Sequence, residues 1–177
     1  QATERLELMT YVTCPTIRYH PAVVAQKAAT LALLSENRFT LGVGAGENLN
    51  EHVVGERWPA VGERHDMLEE ALEIIHQLLT GDRVTYEGAH FRVDSAKLWD
   101  VPEVPVPIAV AVSGEQSVQR FSSLADHLVA VEPDADLVRR WDEARAGLEA
   151  LEALGPSRKI GQIPISWGPD RDEAVAR

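Results

Sequence analysis

The sequence predicts an α/β fold built on a parallel sheet. Two observations carry this. Short apolar runs of strand length alternate with longer segments whose apolar residues recur at helical spacing, and the alternation persists along the chain with one interruption, a hairpin pattern near the middle. Such an order implies right-handed βαβ units. An open doubly wound sheet and a closed barrel both satisfy it, and periodicity does not choose between them.

Taken in order, Leu6, Leu8, Met9 and Tyr11-Val12 read as a short, largely buried strand that ends at Pro15. Pro21 suits the first turn of a helix, and Val23, Val24, Ala28, Leu31 and Leu34 carry that helix to Ser35. Arg38 to Gly44 reads as a second strand, followed by a glycine-rich loop through Asn50. Glu63 to Thr80 is the clearest helix, with Met67, Leu68, Ala71, Leu72, Ile75, Leu78 and Leu79 in one broad stripe; Gly81 closes it. Val84–Tyr86 and His90–Val93 flank Gly88 and predict a β-hairpin. Strands follow at Pro107–Val112, His127–Val131 and Lys159–Trp167. Helices are expected from Glu115 to Leu124, from Asp134 to Leu154, and after Asp170.

Composition narrows the function. The 177 residues are 45% hydrophobic and 25% charged, enough for one core rather than two large ones, so residues 1–177 are read as a single domain. A net charge of −11 leaves no basic face for nucleic acid. The longest apolar-rich run, Ala22 to Leu34, is broken by Gln26, Lys27 and Thr30, so no segment is expected to span a membrane. One cysteine, Cys14, excludes a disulfide framework. The six histidines have no metal-ligand spacing. With no leader pattern visible, the cytoplasm is the default location. The chain opens at Gln1 and stops within a new helical pattern, so both ends are expected to be cut from something longer.

Three segments could carry chemistry. In Leu41-Gly-Val-Gly-Ala-Gly-Glu-Asn-Leu-Asn-Glu51, glycines straddle the carboxyl end of a strand and let backbone approach a flat ring or a phosphate. That end is the functional face of parallel α/β folds. Glu47 stands on it as a candidate acid/base, or as the solvated residue of a plain βα turn. The dinucleotide fingerprint is absent. Ser113-Gly-Glu-Gln-Ser117 opens a helix and suits an anion; it also fits an ordinary cap, with Ser113 as N-cap and Gln116 completing a capping box. Cys14, at the end of the first strand, lacks a paired base and reads as a buried thiol rather than a nucleophile.

Together, Val12-Thr-Cys-Pro-Thr-Ile-Arg-Tyr-His-Pro-Ala-Val-Val-Ala-Gln26 and Asn37 through Glu51 resemble the F420-dependent glucose-6-phosphate dehydrogenase group of luciferase-like oxidoreductases. Trp58-Pro, the Arg64–Gly81 helix, Gly88-x-x-Phe91, Val101-Pro and Pro107-Ile-x-Val-Ala follow in the same order. The resemblance implies a partial (β/α)₈ TIM barrel, luciferase-like and lacking its N-terminal and C-terminal strands, since such barrels need about 250 residues. It implies an oxidoreductase that passes a hydride between a small-molecule substrate and the deazaflavin coenzyme F420, and a parent enzyme that is a homodimer. An Asp-His pair and a Trp are expected upstream of Gln1. Glu47 matches the proton-handling glutamate. Val12 matches the residue whose preceding peptide bond is cis and which forms a bulge behind the ring. Cys14, Ala45, Gly46 and Asn50 match coenzyme contacts, and Ser113, Gly114, Gln116 and Ser117 match the stretch holding its phosphate side.

One departure bears on the substrate. Sugar-phosphate users of the resembled group carry a Thr and a Lys where Val131 and Asp134 stand here. An aspartate repels a phosphate dianion, so a neutral alcohol, ketone or enone is expected rather than glucose 6-phosphate. The competing readings are an FMN-dependent monooxygenase of the luciferase type and a non-catalytic fragment whose open sheet edges pair with another chain.

Overall fold

The computed structural model describes residues 3–146, 148 and 156–172. Five strands, β1 (Leu8–Met9), β2 (Phe39–Val43), β5 (Ile108–Ala111), β6 (His127–Ala130) and β7 (Lys159–Gly161), form one all-parallel sheet in the order β1-β2-β5-β6-β7. Strands β3 (Val84–Glu87) and β4 (Arg92–Ala96) form a separate antiparallel hairpin. Helices α1 (Pro21–Leu34), α3 (Val61–Leu79), α4 (Glu115–Phe121) and α5 (Ala135–Arg145) connect the parallel strands, and a short helix α2 (Asn48–Glu51) with a 3₁₀ turn (His52–Val54) follows β2. A doubly wound sheet reverses its strand order at a switch point. Here each parallel strand is laid beside its predecessor without reversal, and neighbouring helices touch one another, α1 on α3, α3 on α4 and α4 on α5. That is the order of a barrel segment.

The core lies between the sheet and this helical layer. It is filled by Phe39, Leu41 and Val43 of β2, Ile108 and Val110 of β5, Leu128 of β6 and the buried stripe Leu68, Leu72, Ile75 and Leu78 of α3. Trp141 is fully buried on α5, and its indole N–H donates to Ser157 Oγ at 2.9 Å, tying that helix to the segment before β7.

Three expectations change. The first strand is not largely buried: Leu6, Leu8, Tyr11 and Val12 are exposed, because β1 is an edge strand bonded only to β2. Helix α1 does not bury its leucines. Ala25, Ala28, Ala29 and Ala32 face inward with Val24, whereas Val23, Leu31 and Leu34 are exposed; small side chains let α1 lie close against α3 and β2. The last strand is shorter than Lys159–Trp167, and Ile163, Ile165 and Trp167 are exposed. The end of the helix expected to Leu154, and most of the one after Asp170, lie outside the described residues.

Two carboxylates of α3 dock the hairpin, Glu73 accepting from the Tyr86 hydroxyl at 2.7 Å and Glu70 from three backbone amides. Glu70 on α3 accepts from the amides of Ala89 (2.8 Å), His90 (3.0 Å) and Phe91 (3.1 Å), while Phe91 sits edge-on to His20 at the start of α1. Replacing Glu70 with Ala strands three amide donors, so Glu70→Ala is expected to lower unfolding free energy by about 2 kcal/mol. The measurement is urea denaturation, with a lower midpoint at unchanged slope.

Candidate active site

The carboxyl ends of β1, β2, β5 and β6 open onto one cleft of about 350 Å³. Tyr11, Val12, Cys14 and Arg18 line it after β1; Gly44, Ala45, Gly46, Glu47, Asn50 and Glu51 after β2. Val61, Arg64 and His65 come from the start of α3, Ala111, Val112 and Ser113 from the end of β5 and the turn after it, Ser117 from α4, and Val129 and Val131 from the end of β6 and just beyond it. The glycine-lined lip and the start of α4 therefore face a common opening.

The floor is built by a bulge after β1. The Tyr11–Val12 peptide bond is cis, as expected. Beyond it, Thr13 N–H donates to Gly42 O (2.8 Å) and Gly44 N–H to Thr13 O (3.0 Å), carrying the pairing past the end of β1. The Thr10 hydroxyl donates to Gly42 O (2.8 Å) and accepts from Gly42 N–H (3.0 Å). This closeness explains the glycines. A Cβ on Gly42 would stand 1.9 Å from Thr10 O, one on Gly44 2.9 Å from Val12 Cγ2, and one on Gly46 2.6 Å from Cys14 Sγ. Gly46 also has φ +80, a left-handed backbone that side chains disfavour.

Cys14 is buried, 2.9 Å from Thr16 Oγ1, and burial pushes its thiol up from the ordinary value. It is a neutral packing group, as the sequence reading had it. Glu47 is the N-cap residue of α2 but makes no side-chain cap bond; its carboxylate is exposed on the cleft. Glu51, one turn on, is buried at 2% exposure. Its two oxygens accept from Arg18 Nε (2.9 Å) and Arg18 N–H (3.3 Å).

Across the cleft, the cap differs from the expected one. Gly114, not Ser113, is the N-cap residue of α4, and since glycine has no side chain to reciprocate, the cap is made by Ser117 at N3 rather than by a box with Gln116. The Ser117 hydroxyl donates to Gly114 O (2.8 Å) and accepts from the amides of Ser113 (3.1 Å) and Gly114 (3.2 Å). Position N3 points back along the helix toward the cap, so Ser117 is buried, whereas Gln116 at N2 is exposed and does not line the cleft. Gly114 lies beside an adjoining depression with Asp134 and Arg140. Of the expected contacts, Val12, Cys14, Ala45, Gly46, Asn50, Ser113 and Ser117 join Glu47 in the cleft; Gly114 and Gln116 do not.

The luciferase-like monooxygenase family model matches residues 1–177. The chain belongs to this family. A curated luciferase-like relative, the F420-dependent glucose-6-phosphate dehydrogenase of Nakamurella multipartita, is 44% identical over 177 residues, 98% of this chain and 52% of its own length. The F420-dependent hydroxymycolic acid dehydrogenase of Mycobacterium tuberculosis is 42% identical over 149 residues, 84% of this chain and 41% of its own. The solved structure of an F420-dependent secondary alcohol dehydrogenase in complex with an F420-acetone adduct superposes with a TM-score of 0.88 at 34% identity, covering 99% of this chain and 55% of that one. The chain thus spans about half the length of the relatives it matches. Its parallel sheet is part of the luciferase-like TIM barrel.

Among the cleft residues of this luciferase-like chain that escaped the sequence reading are Arg18, Glu51, Arg64 and His65. Arg64 stacks its guanidinium over Trp58, 4.3 Å from the ring centroid, and donates to Pro59 O at 2.8 Å, fixing the start of α3. His65 sits edge-on to Phe121, and burial, with Arg120 and Arg64 adding to it, holds its imidazole below the ordinary value, hence neutral at neutral pH. A signal for Glu51 was present, since it lies four residues after Glu47 on one helical turn. Nothing in the sequence names Arg18, 33 positions away, as its partner.

Proposed function

We propose that the protein is an F420-dependent oxidoreductase that moves a hydride between a small organic substrate and the coenzyme, with Glu47 managing the proton. The observation that carries this reading is the convergence of the Val12 bulge, the glycine-lined lip with Glu47 and the Ser113 turn on one cleft. F420 dependence in the names of relatives 42–44% identical supports it.

The cleft suits a flat, tailed coenzyme. Val12, Gly44, Ala45 and Ala111 line it with no long side chain among them, alongside polar groups such as Glu47, Asn50 and Ser113. When bound, F420 supplies the hydride chemistry, and the protein contributes orientation and charge. In this reading Val12 backs the ring, while Cys14, Ala45, Gly46 and Asn50 border it. At the tail end the amides of Ser113 and Gly114 are already spent on Ser117, so Ser117 stiffens the turn. Anion contact falls to the Ser113 hydroxyl, which lines the cleft at the exposed start of α4.

The substrate is proposed to be a neutral alcohol or ketone rather than a sugar phosphate. Glu132, Asp134 and Asp136 cluster in the depression that also holds Ser113 and Val131. Asp134 spends its carboxylate on the amides of Asp136 (2.9 Å) and Leu137 (3.0 Å), so it is held there as an anion acceptor at the helix start. Such a cluster opposes a terminal phosphate dianion more strongly than the singly charged phosphodiester of a coenzyme tail at Ser113, because the repulsion scales with the charge brought in. The acetone adduct in the relative of known structure supports a carbonyl substrate of this size.

The test is titration of the full-length protein with F420 and with FMN, followed by turnover with a secondary alcohol and with glucose 6-phosphate. Saturable F420 binding and alcohol turnover are expected. Binding of FMN alone would overturn the coenzyme, and preference for the sugar phosphate would overturn the substrate.

A further inference from the structure

We propose that Arg18, pinned by the buried Glu51, is the donor through which the cleft holds an electron-rich oxygen of the coenzyme ring; this rests on the F420 reading above.

Glu51 is a carboxylate at 2% exposure beneath the glycine lip, and a charge so placed needs a hydrogen-bonded counter-ion. Arg18 supplies both contacts, one from its backbone amide and one from Nε. The guanidinium has five N–H donors in a planar fork. Only the Nε donor is used by Glu51. Neither Nη atom has a hydrogen-bond partner among the described residues, and the side chain is 34% exposed on the cleft. One edge of the fork is therefore fixed and the other is offered to whatever enters.

The other cleft arginine, Arg64, donates from Nη1 to Pro59 O and stacks on Trp58, with its buried Nε unpartnered among the described residues; the Arg18 guanidinium lies 5.6 Å from the Tyr19 ring centroid. Arginines elsewhere, such as Arg57, Arg120 and Arg139, turn their Nη groups onto surface carboxylates. Arg18 differs from these in being pinned through Nε to a buried carboxylate in the cleft, with both Nη atoms unpartnered among the described residues.

Position assigns the ring rather than the phosphate tail. Arg18 follows β1 and Ser113 follows β5, with β2 between them. The ends of β1 and β5 lie two strand spacings apart, on the order of 10 Å, and Arg18 is held on the Glu51 side of the cleft. A ligand whose phosphate sits at Ser113 presents its other end to Arg18. Carbonyl oxygens on a pyrimidine-type ring are the acceptors a planar fork suits. Because the Arg18–Glu51 pair is neutral overall, it supplies directed donors without a net charge. Glu51 acts through Arg18 and is a positioning residue.

The experiment is calorimetric titration of the full-length protein with F420 and with the deazaflavin ring lacking its phosphate tail, alongside melting temperatures. Arg18→Met alone would leave a buried unpaired carboxylate, so the informative variant is Arg18→Met with Glu51→Leu, which removes both charges. It is expected to melt near the wild type and to bind both ligands roughly 10-fold more weakly. Ser113→Ala is expected to weaken F420 only. Arg18→Lys leaves Glu51 a cation but removes the fork, and is expected to lose ring affinity several-fold without a change in melting. Wild-type affinity for the tail-less ring in either Arg18 variant would overturn the assignment and leave the pair purely structural. Wild-type protein that binds neither ligand would overturn the F420 reading itself, a result visible before any variant is made.

Discussion

Glu47→Gln in the full-length protein is expected to lower kcat by roughly 10²- to 10⁴-fold while leaving coenzyme affinity nearly unchanged. On the proposed reading the side chain transfers a proton, which an amide cannot do. The geometry makes the substitution unusually clean. Glu47 is exposed on the cleft and makes no side-chain bond to the α2 cap, so its replacement strands no partner. The stability change should therefore stay within about 0.5 kcal/mol, as for surface positions without special features. Single-turnover measurement of the hydride step, with melting as a control, reads both quantities. An unchanged rate in Glu47→Gln would remove Glu47 from the chemistry and leave the cleft as a binding site.

Gly42→Ala should act in the opposite way, damaging the fold first and the cleft through it. The added methyl would sit 1.9 Å from Thr10 O, a backbone atom that cannot swing aside. The same residue is held by both hydrogen bonds of the Thr10 hydroxyl and by Thr13 N–H. Relief requires moving the whole bulge that carries Tyr11, Val12 and Cys14. A cost of about 3 kcal/mol is expected, at the upper end for overpacked sites, together with loss of coenzyme binding. Denaturant titration and calorimetry check the pair of effects. Wild-type stability in Gly42→Ala would mean that the bulge is not seated as described. In contrast, Gly55 has open space around a Cβ and depends only on its positive φ of 73.

These two sites differ in how legible they were. The glycine string could be read directly, because a residue without Cβ at a strand's carboxyl end has few reasons other than a tight turn or close approach. What it approaches was not legible: Thr10 and Cys14 are some 32 residues upstream, and periodicity carries no information about such pairs. Glu47 was readable for the same local reason. Glu51 stood in the same string and was passed over, because burial of a carboxylate is decided by a distant partner, here Arg18. The helix start at residues 113–117 was recognised, yet its cap was assigned one residue early. Both Gln116 and Ser117 are chemically able to cap, and only the phase of the first turn distinguishes them.

The sequence by itself determined the order of strands and helices, the hairpin about Gly88, the stripe of α3 and the positions where backbone must come close, because each of these is set by interactions within a few residues. The tertiary structure decided the rest. It chose the unreversed strand order β1-β2-β5-β6-β7, the burial of the alanine face of α1 in place of its leucines, and the Arg18–Glu51 pair in the cleft. These depend on which surfaces meet after the chain has turned back on itself. An apolar pattern specifies that a face can be buried, but only the packed neighbour specifies which face is.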